Sequence, residues 1–229
     1  KTTFFLAGHW IEKHPDYVRK IFERGHEVGT HSYAHGHMNE MSKEAILADL
    51  EKNHNLLKDI TGVDPELFRP PFGEYSNKVI EAAESMGYYT IQWSIDSLDW
   101  KDVSADFMVR RVLQNLNPGE IVLFHNAGKH TPEAVAILIP ELKARGYEIV
   151  PVGELIYRDD YVIEPHSGVQ KPRQRSSKGS PTVTETAQIP EGAVFSVPEA
   201  QGAVSFMINV DWGEEHLPRI LDLFASRGV

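Results

Sequence analysis

The chain reads as an α/β protein built on a parallel sheet, and three features of its 229 residues lead there. Apolar runs of strand length alternate with amphipathic helical patterns. The helical patterns carry start and stop signals. Polar side chains suited to chemistry gather where the apolar runs end.

The strand candidates are 3–6, 27–30, 67–69, 88–95, 120–124 and 147–150. After Ser42, a plausible N-cap, Ile46, Leu50 and Leu57 repeat at near-helical spacing. After Thr131, Ala134, Ile137, Leu138 and Leu142 do the same, and Gly146 takes the C-cap position. Strand and helix taking turns implies right-handed crossovers in a sheet that is either open or closed into a barrel. From 165 to 202 the composition shifts to Pro, Ser, Gly, Thr and Gln, which predicts a linker or loosely ordered loop. A last unit follows, with a strand at 204–210, then Leu217, Ile220, Leu221 and Phe224 at helical spacing, and Arg227-Gly228 as the stop. The expected organisation is therefore a main barrel part at 1–164, the linker at 165–202, and a βα unit of the same barrel at 203–229.

That last unit ends where a strand is due, while the chain opens on a strand with no helix before it. Joined end to start, Arg227-Gly228-Val229-Lys1-Thr2-Thr3-Phe4-Phe5 reads as one helix-to-strand connection. A circularly permuted or reordered single domain is the expectation, with a cut from a tandem array as the alternative.

Composition narrows the function. With 41% hydrophobic and 24% charged residues the chain can bury a sizeable core. A net charge of −10 and no basic face outside 171–178 argue against a nucleic-acid surface. There is no cysteine, so any metal must be held by His, Asp or Glu. No apolar run reaches the roughly 18 to 20 residues that cross a bilayer. No signal-peptide pattern opens the chain at Lys1, and a removed signal or anchor stays open.

At the strand ends stand His31 and His35, Arg69, Asp96 and Asp99, His125, and Asn209 with Asp211. In barrels that end is the catalytic face. The spacing in His31-Ser32-Tyr33-Ala34-His35 lets two imidazoles reach one ion, although a lone His pair four apart is more often solvated or part of a core. Phe68-Arg69-Pro70-Pro71-Phe72-Gly73 reads as a rigid loop presenting a guanidinium, or as one that pairs a surface acid. Asp96-Ser97-Leu98-Asp99-Trp100 offers two carboxylates and an aromatic face suited to sugar rings or to a core. Leu123-Phe124-His125 ends a buried strand on the residue type best fitted to move a proton near neutral pH.

Together these segments resemble the motifs of the polysaccharide deacetylase family, the NodB homology domain of carbohydrate esterases. His31-Ser-Tyr-Ala-His35 is similar to its metal motif and Arg69-Pro-Pro-Phe-Gly73 to its arginine loop. Asp96-Ser-Leu-Asp99-Trp100 and Leu123-Phe-His125 are similar to its fourth and fifth motifs, in the same order. The likeness covers about 1–157 and 203–229. It implies a distorted (β/α) barrel of about seven strands holding a divalent ion, zinc first, with cobalt or nickel also serving. It implies removal of N-acetyl groups from an amino-sugar polymer such as peptidoglycan or a chitin-like oligosaccharide. His31 and His35 would hold the metal, His125 would protonate the departing amine, and Asp99 would tune it. The backbone at Phe72 would hold the oxyanion, while Trp100 and Leu123 would shape the acetyl pocket. An extracellular or wall location goes with that activity, a cytoplasmic one staying open.

The departure lies in the first motif. The family shows Thr-Phe-Asp-Asp, one Asp acting as base and the next as ligand, whereas this strand reads Ser205-Phe206-Met207-Ile208-Asn209-Val210-Asp211. Asn209 then replaces the base that Arg69 orients, and Val210 replaces the ligand. An amide does not accept a proton at neutral pH and an isopropyl group binds no metal. Three readings follow: Asp211 supplies the missing acid as ligand or base, two His and water hold the ion, or the domain binds sugar without turning it over.

Overall fold

The computed structural model describes residues 1–173 and 192–229. The strands are β1 (Thr3–Leu6), β2 (Glu27–Thr30), β3 (Leu67–Phe68), β4 (Tyr89–Ile91), β5 (Ile95–Asp96), β6 (Ile121–His125), β7 (Glu148–Ile149), β8 (Tyr161–Ile163), β9 (Gln170–Pro172), β10 (Ala193–Val194) and β11 (Ala203–Val210). The helices are α1 (Gly8–Ile11), α2 (Pro15–Glu23), α3 (Lys43–Thr61), α4 (Asn77–Ser85), α5 (Ala105–Asn115), α6 (Thr131–Ala144), α7 (Val152–Leu155) and α8 (Leu217–Ser226). The main sheet runs β10-β4-β3-β2-β1-β11-β6-β5, with β7 on the start of β11, and all of these pairings are parallel.

The helices start and stop as the sequence predicts. Ser42 accepts from the Ala45 N–H at 3.2 Å, and Gly146 follows α6 at φ 82°. The apolar run 88–95 does not form one strand. It breaks at 92–94, β4 pairing with β3 while β5 pairs with β6. Three residues span only about 10 Å, so β4 and β5, far apart in the sheet order, are drawn together. That tie curls the sheet into a distorted half-barrel of more strands than the seven expected.

Side chains alternate between its two faces. Phe4, Leu6, Val122, Phe124, Phe206, Ile208 and Val210 pack outward against Ile21, Leu57, Met108, Leu138 and Ile220 of the helices. Phe5, Leu67, Leu123 and Met207 fill the inside with Val152, Leu155 and Val194. Strands buried on both faces explain why the sequence shows continuous apolar runs rather than alternation.

The predicted linker needs correction. Its first part forms β9, antiparallel to β8, and its last part adds β10 to the sheet edge beside β4. Gln170 is buried and bonds the N–H and C=O of Tyr157 at 2.7 and 2.9 Å, an anchor that composition does not reveal. The remainder, 174–191, lies outside the described residues. β11 sits between β1 and β6. Among the described residues no helix is long and apolar enough to cross a membrane.

His26 sits in this core against the rings of Phe4 and Phe224, both centroids 5.3 Å away, with Nδ1 unpartnered among the described residues. Burial, aided by the nearby Lys1 charges, lowers it to about 4. The unfolded chain takes this proton near pH 6.5 and the fold only near 4, so acidification between those values favours unfolding. Urea unfolding at pH 7.5 and 4.5 is expected to show wild type losing about 2 to 3 kcal/mol more than His26→Leu. Equal losses would contradict this.

Candidate active site

His31 leaves β2 directly into the site and is 1% exposed. Its Nδ1–H donates to the Arg69 carbonyl at 2.7 Å, which leaves Nε2 as a bare lone pair. The chain then turns sharply, with Ser32 and His35 at φ 65° and 52°. The Asp49 carboxylate accepts from the N–H groups of Tyr33 and Ala34 at 2.8 and 2.9 Å, and Ser32 Oγ accepts from that of His35 at 2.8 Å. This turn brings His35 Nε2 to 3.2 Å from His31 Nε2 and 3.3 Å from Asp211 Oδ2. Burial, with neighbouring positive charge second, holds His31 well below its usual range and His35 at about 4. Both are therefore neutral at pH 7, the form that ligates metal.

Strand alternation decides which first-motif residues reach the pocket. Val210 points into the helix-side core, while Asn209 and Asp211, one residue to either side, line the pocket. Asp211 arrives opposite His35 with its carboxyl raised to about 6 by burial, against the pull of His125 and His9. Oδ1 of Asp211 and of Asn209 have no hydrogen-bond partner among the described residues. His9 fixes the Asp211 backbone, its Nε2 lying 2.8 Å from the carbonyl.

Arg69 is buried over the Trp93 ring at 4.2 Å. Its loop carries Phe72 at φ 57°, edge-on to His35 at 4.7 Å and stacked on His37 at 4.3 Å. Opposite, Asp99 accepts from His125 twice, from the ring Nδ1–H at 2.8 Å and the backbone N–H at 2.6 Å, and from Thr131 Oγ1 at 2.7 Å. The acid thus fixes the tautomer whose Nε2 carries no proton of its own in the neutral ring. Trp212 stacks on His125 at 5.9 Å and 24°, its carbonyl held by Asn126 at 3.0 Å.

The pocket encloses ≈ 270 Å³, and Phe72, Trp100 and Trp212 are half-exposed at its rim. Every predicted site residue borders it except Asp99, which stands behind His125. Sequence reasoning missed Trp93, Trp212, His9, Asp49 and Thr131. Of these, Trp212 carried a signal, as an aromatic immediately after a strand-end acid. Of the six non-glycine residues with positive φ among the described residues, Ser32, His35, Phe72 and Leu98 belong to the pocket loops. Such strain persists where surrounding packing over-determines it.

Among the described residues no three His, Asp or Glu side chains stand at the mutual spacing of a finished metal cage. Two edges of one do. Donors about 2.0–2.1 Å from a tetrahedral ion lie roughly 3.3 Å apart, which the 3.2 and 3.3 Å separations meet. Two neutral imidazoles, a buried carboxylate with an orphaned oxygen and an adjoining open pocket fit a divalent ion. Asp99→Leu would strand the His125 N–H and the Thr131 hydroxyl, at an expected cost of about 3 kcal/mol in urea unfolding. A loss below about 1 kcal/mol would show that these bonds do not anchor the dyad.

The polysaccharide deacetylase family model matches residues 1–91. A peptidoglycan-N-acetylglucosamine deacetylase of Bacillus cereus is 34% identical over 161 residues, covering 68% of this chain and 75% of its own length. The crystal structure of a CE4 family pseudoenzyme from Bacillus anthracis is 34% identical with a TM-score of 0.65, covering 67% of this chain and 54% of its own. A mutant of that pseudoenzyme, described as having restored enzymatic activity, is 35% identical with the same TM-score, covering 67% of this chain and 56% of its own. The chain spans only 33% of the Listeria monocytogenes deacetylase PgdA and 56% of a second Bacillus cereus deacetylase. With its motifs assembled on one half-barrel and these likenesses in hand, the chain belongs to the polysaccharide deacetylase family.

Proposed function

We propose that this domain hydrolyses N-acetyl groups on the amino sugars of a wall glycan, peptidoglycan first and a chitin-like oligosaccharide second, using a divalent ion held by His31, His35 and Asp211. The observation that carries this is the pairing of an intact His125–Asp99 dyad with Asp211 set against His35, which in turn meets His31, in one pocket. Zinc is the first candidate, with cobalt or nickel as alternatives. When bound, the ion polarises the acetyl carbonyl and makes water acidic, chemistry that an unreactive amide requires.

The chain's residues do the rest. Trp100, Trp212 and Phe72 present ring faces to the sugar, and Leu123 limits the acyl end of the pocket. The Asp211 oxygen left without a hydrogen-bond partner among the described residues is placed to accept a hydrogen bond from the attacking water while the other carboxylate oxygen faces His35. The backbone N–H of Phe72 supplies a hydrogen bond to the developing oxyanion. His125, aligned by Asp99 and entering the step as the imidazolium, gives its Nε2 proton to the nitrogen as the C–N bond breaks and leaves the step as the neutral ring, so the glycan departs as an amine and the acyl group as acetate. Relatives named as peptidoglycan deacetylases support a site of action at the cell wall.

Asn209 favours a second reading, saccharide binding without turnover, because an amide at the base position accepts no proton. The two separate on one assay. Protein loaded with zinc, cobalt or nickel is incubated with N-acetylglucosamine oligomers and with peptidoglycan fragments, and acetate is measured. Release is expected, falling at least about a hundredfold in Asp211→Ala and rising by a similar factor in Asn209→Asp. Saccharide affinity that survives His125→Ala, with no acetate from any metal form, would establish the binding reading instead.

A further inference from the structure

Among the described residues Arg69 forms no salt bridge, although the Asp96 charge acts on it. Its guanidinium lines the pocket yet is 2% exposed. Of its five N–H groups, one at Nη1 bonds the Pro70 carbonyl, and Nε has no partner among the described residues. Trp93 fixes the guanidinium plane from one side, and Gly73 makes room for that ring, since a Cβ there would come within 2.5 Å of it.

The acids of the pocket are engaged elsewhere. Asp96 accepts from the Leu98 N–H at 2.8 Å and from Trp100 Nε1 at 3.3 Å, and Asp211 stands against His35. Asn209, which also lines the pocket, offers an amide where a carboxylate of nearly the same shape would neutralise the cation. A buried charge without a partner is strongly unfavourable, so the pocket selects a ligand that brings its own anion. Guanidinium and carboxylate match in geometry and form the stronger, charge-assisted class of hydrogen bond.

We propose that Arg69 is a carboxylate-recognition subsite, and that the sugar taken by this pocket carries both an N-acetyl group and a carboxylate, as the lactyl ether of muramic acid does. The inference rests on the glycan reading above, and it names which sugar of the polymer is engaged. It concerns binding and holds whether or not the sugar is turned over.

The test is calorimetric titration with N-acetylmuramic acid, N-acetylglucosamine and sodium acetate, on zinc-loaded and chelator-treated protein alike. Wild type is expected to prefer N-acetylmuramic acid by about tenfold. Arg69→Gln, and independently Asn209→Asp, are expected to reduce that preference to within about twofold. The second variant leaves the guanidinium in place and supplies an internal carboxylate, so it reports even if Arg69→Gln fails to fold. Equal affinity for the two sugars in wild type, or an undiminished preference in Asn209→Asp, would overturn the proposal. Acetate binding that depends on Arg69 without any sugar preference would assign the subsite to a free small acid and overturn it too. Failure of both sugars to bind would sink the glycan reading itself, an outcome distinct from loss of the preference alone.

Discussion

The register of β11 between β1 and β6 is the constraint on which the site depends. Parallel pairing sets Asn209 beside Phe5 on one side and His125 on the other. With a side-chain period of two, Val210 is committed to the helix layer, and Asn209 and Asp211 to the pocket. A slip of one residue would bury two polar groups among Phe224 and its neighbours and turn an isopropyl group toward His35. Five apolar residues of β11 packed on both faces hold that register, so the core specifies which side chain can do chemistry.

Around that strand the sheet is curled by the short tie between β4 and β5, which lets groups from β2, β3, β5, β6 and β11 converge. Convergence carries a local cost. Four non-glycine residues of the pocket loops adopt left-handed backbone, each of order 1 kcal/mol or more. Staples such as Asp49 under the His loop and Asn126 under Trp212 hold these conformations, and the extensive cores on both sheet faces absorb the expense.

Much of this was legible in the sequence. Strand and helix periodicity located most elements, and the ends of the apolar runs located His31, Arg69, Asp99, His125 and Asp211. Periodicity could not show that 88–95 divides, because a continuous apolar run looks the same whether it pairs with one neighbour or two. Composition misread the ends of 165–202, where β9 and β10 gain their order from the edge they complete and from the buried amide of Gln170. Trp93, Asp49 and Thr131 were invisible for a related reason. Their roles come from contacts with residues distant in the chain, and nothing in the local pattern marks them.

The replaced first motif has a physical logic as well. Asn209 brings an uncharged amide to the pocket that Arg69 lines, and Asp211, two residues on, sets its carboxylate 3.3 Å from His35. The direct measurement of this account is zinc affinity, by competition with a chromogenic chelator, for wild type and Asp211→Ala. One zinc ion per chain is predicted, held more than about a hundredfold less tightly by the variant. Equal affinity in the two proteins, or no zinc bound by wild type, would contradict the placement of Asp211 as the acid of this site.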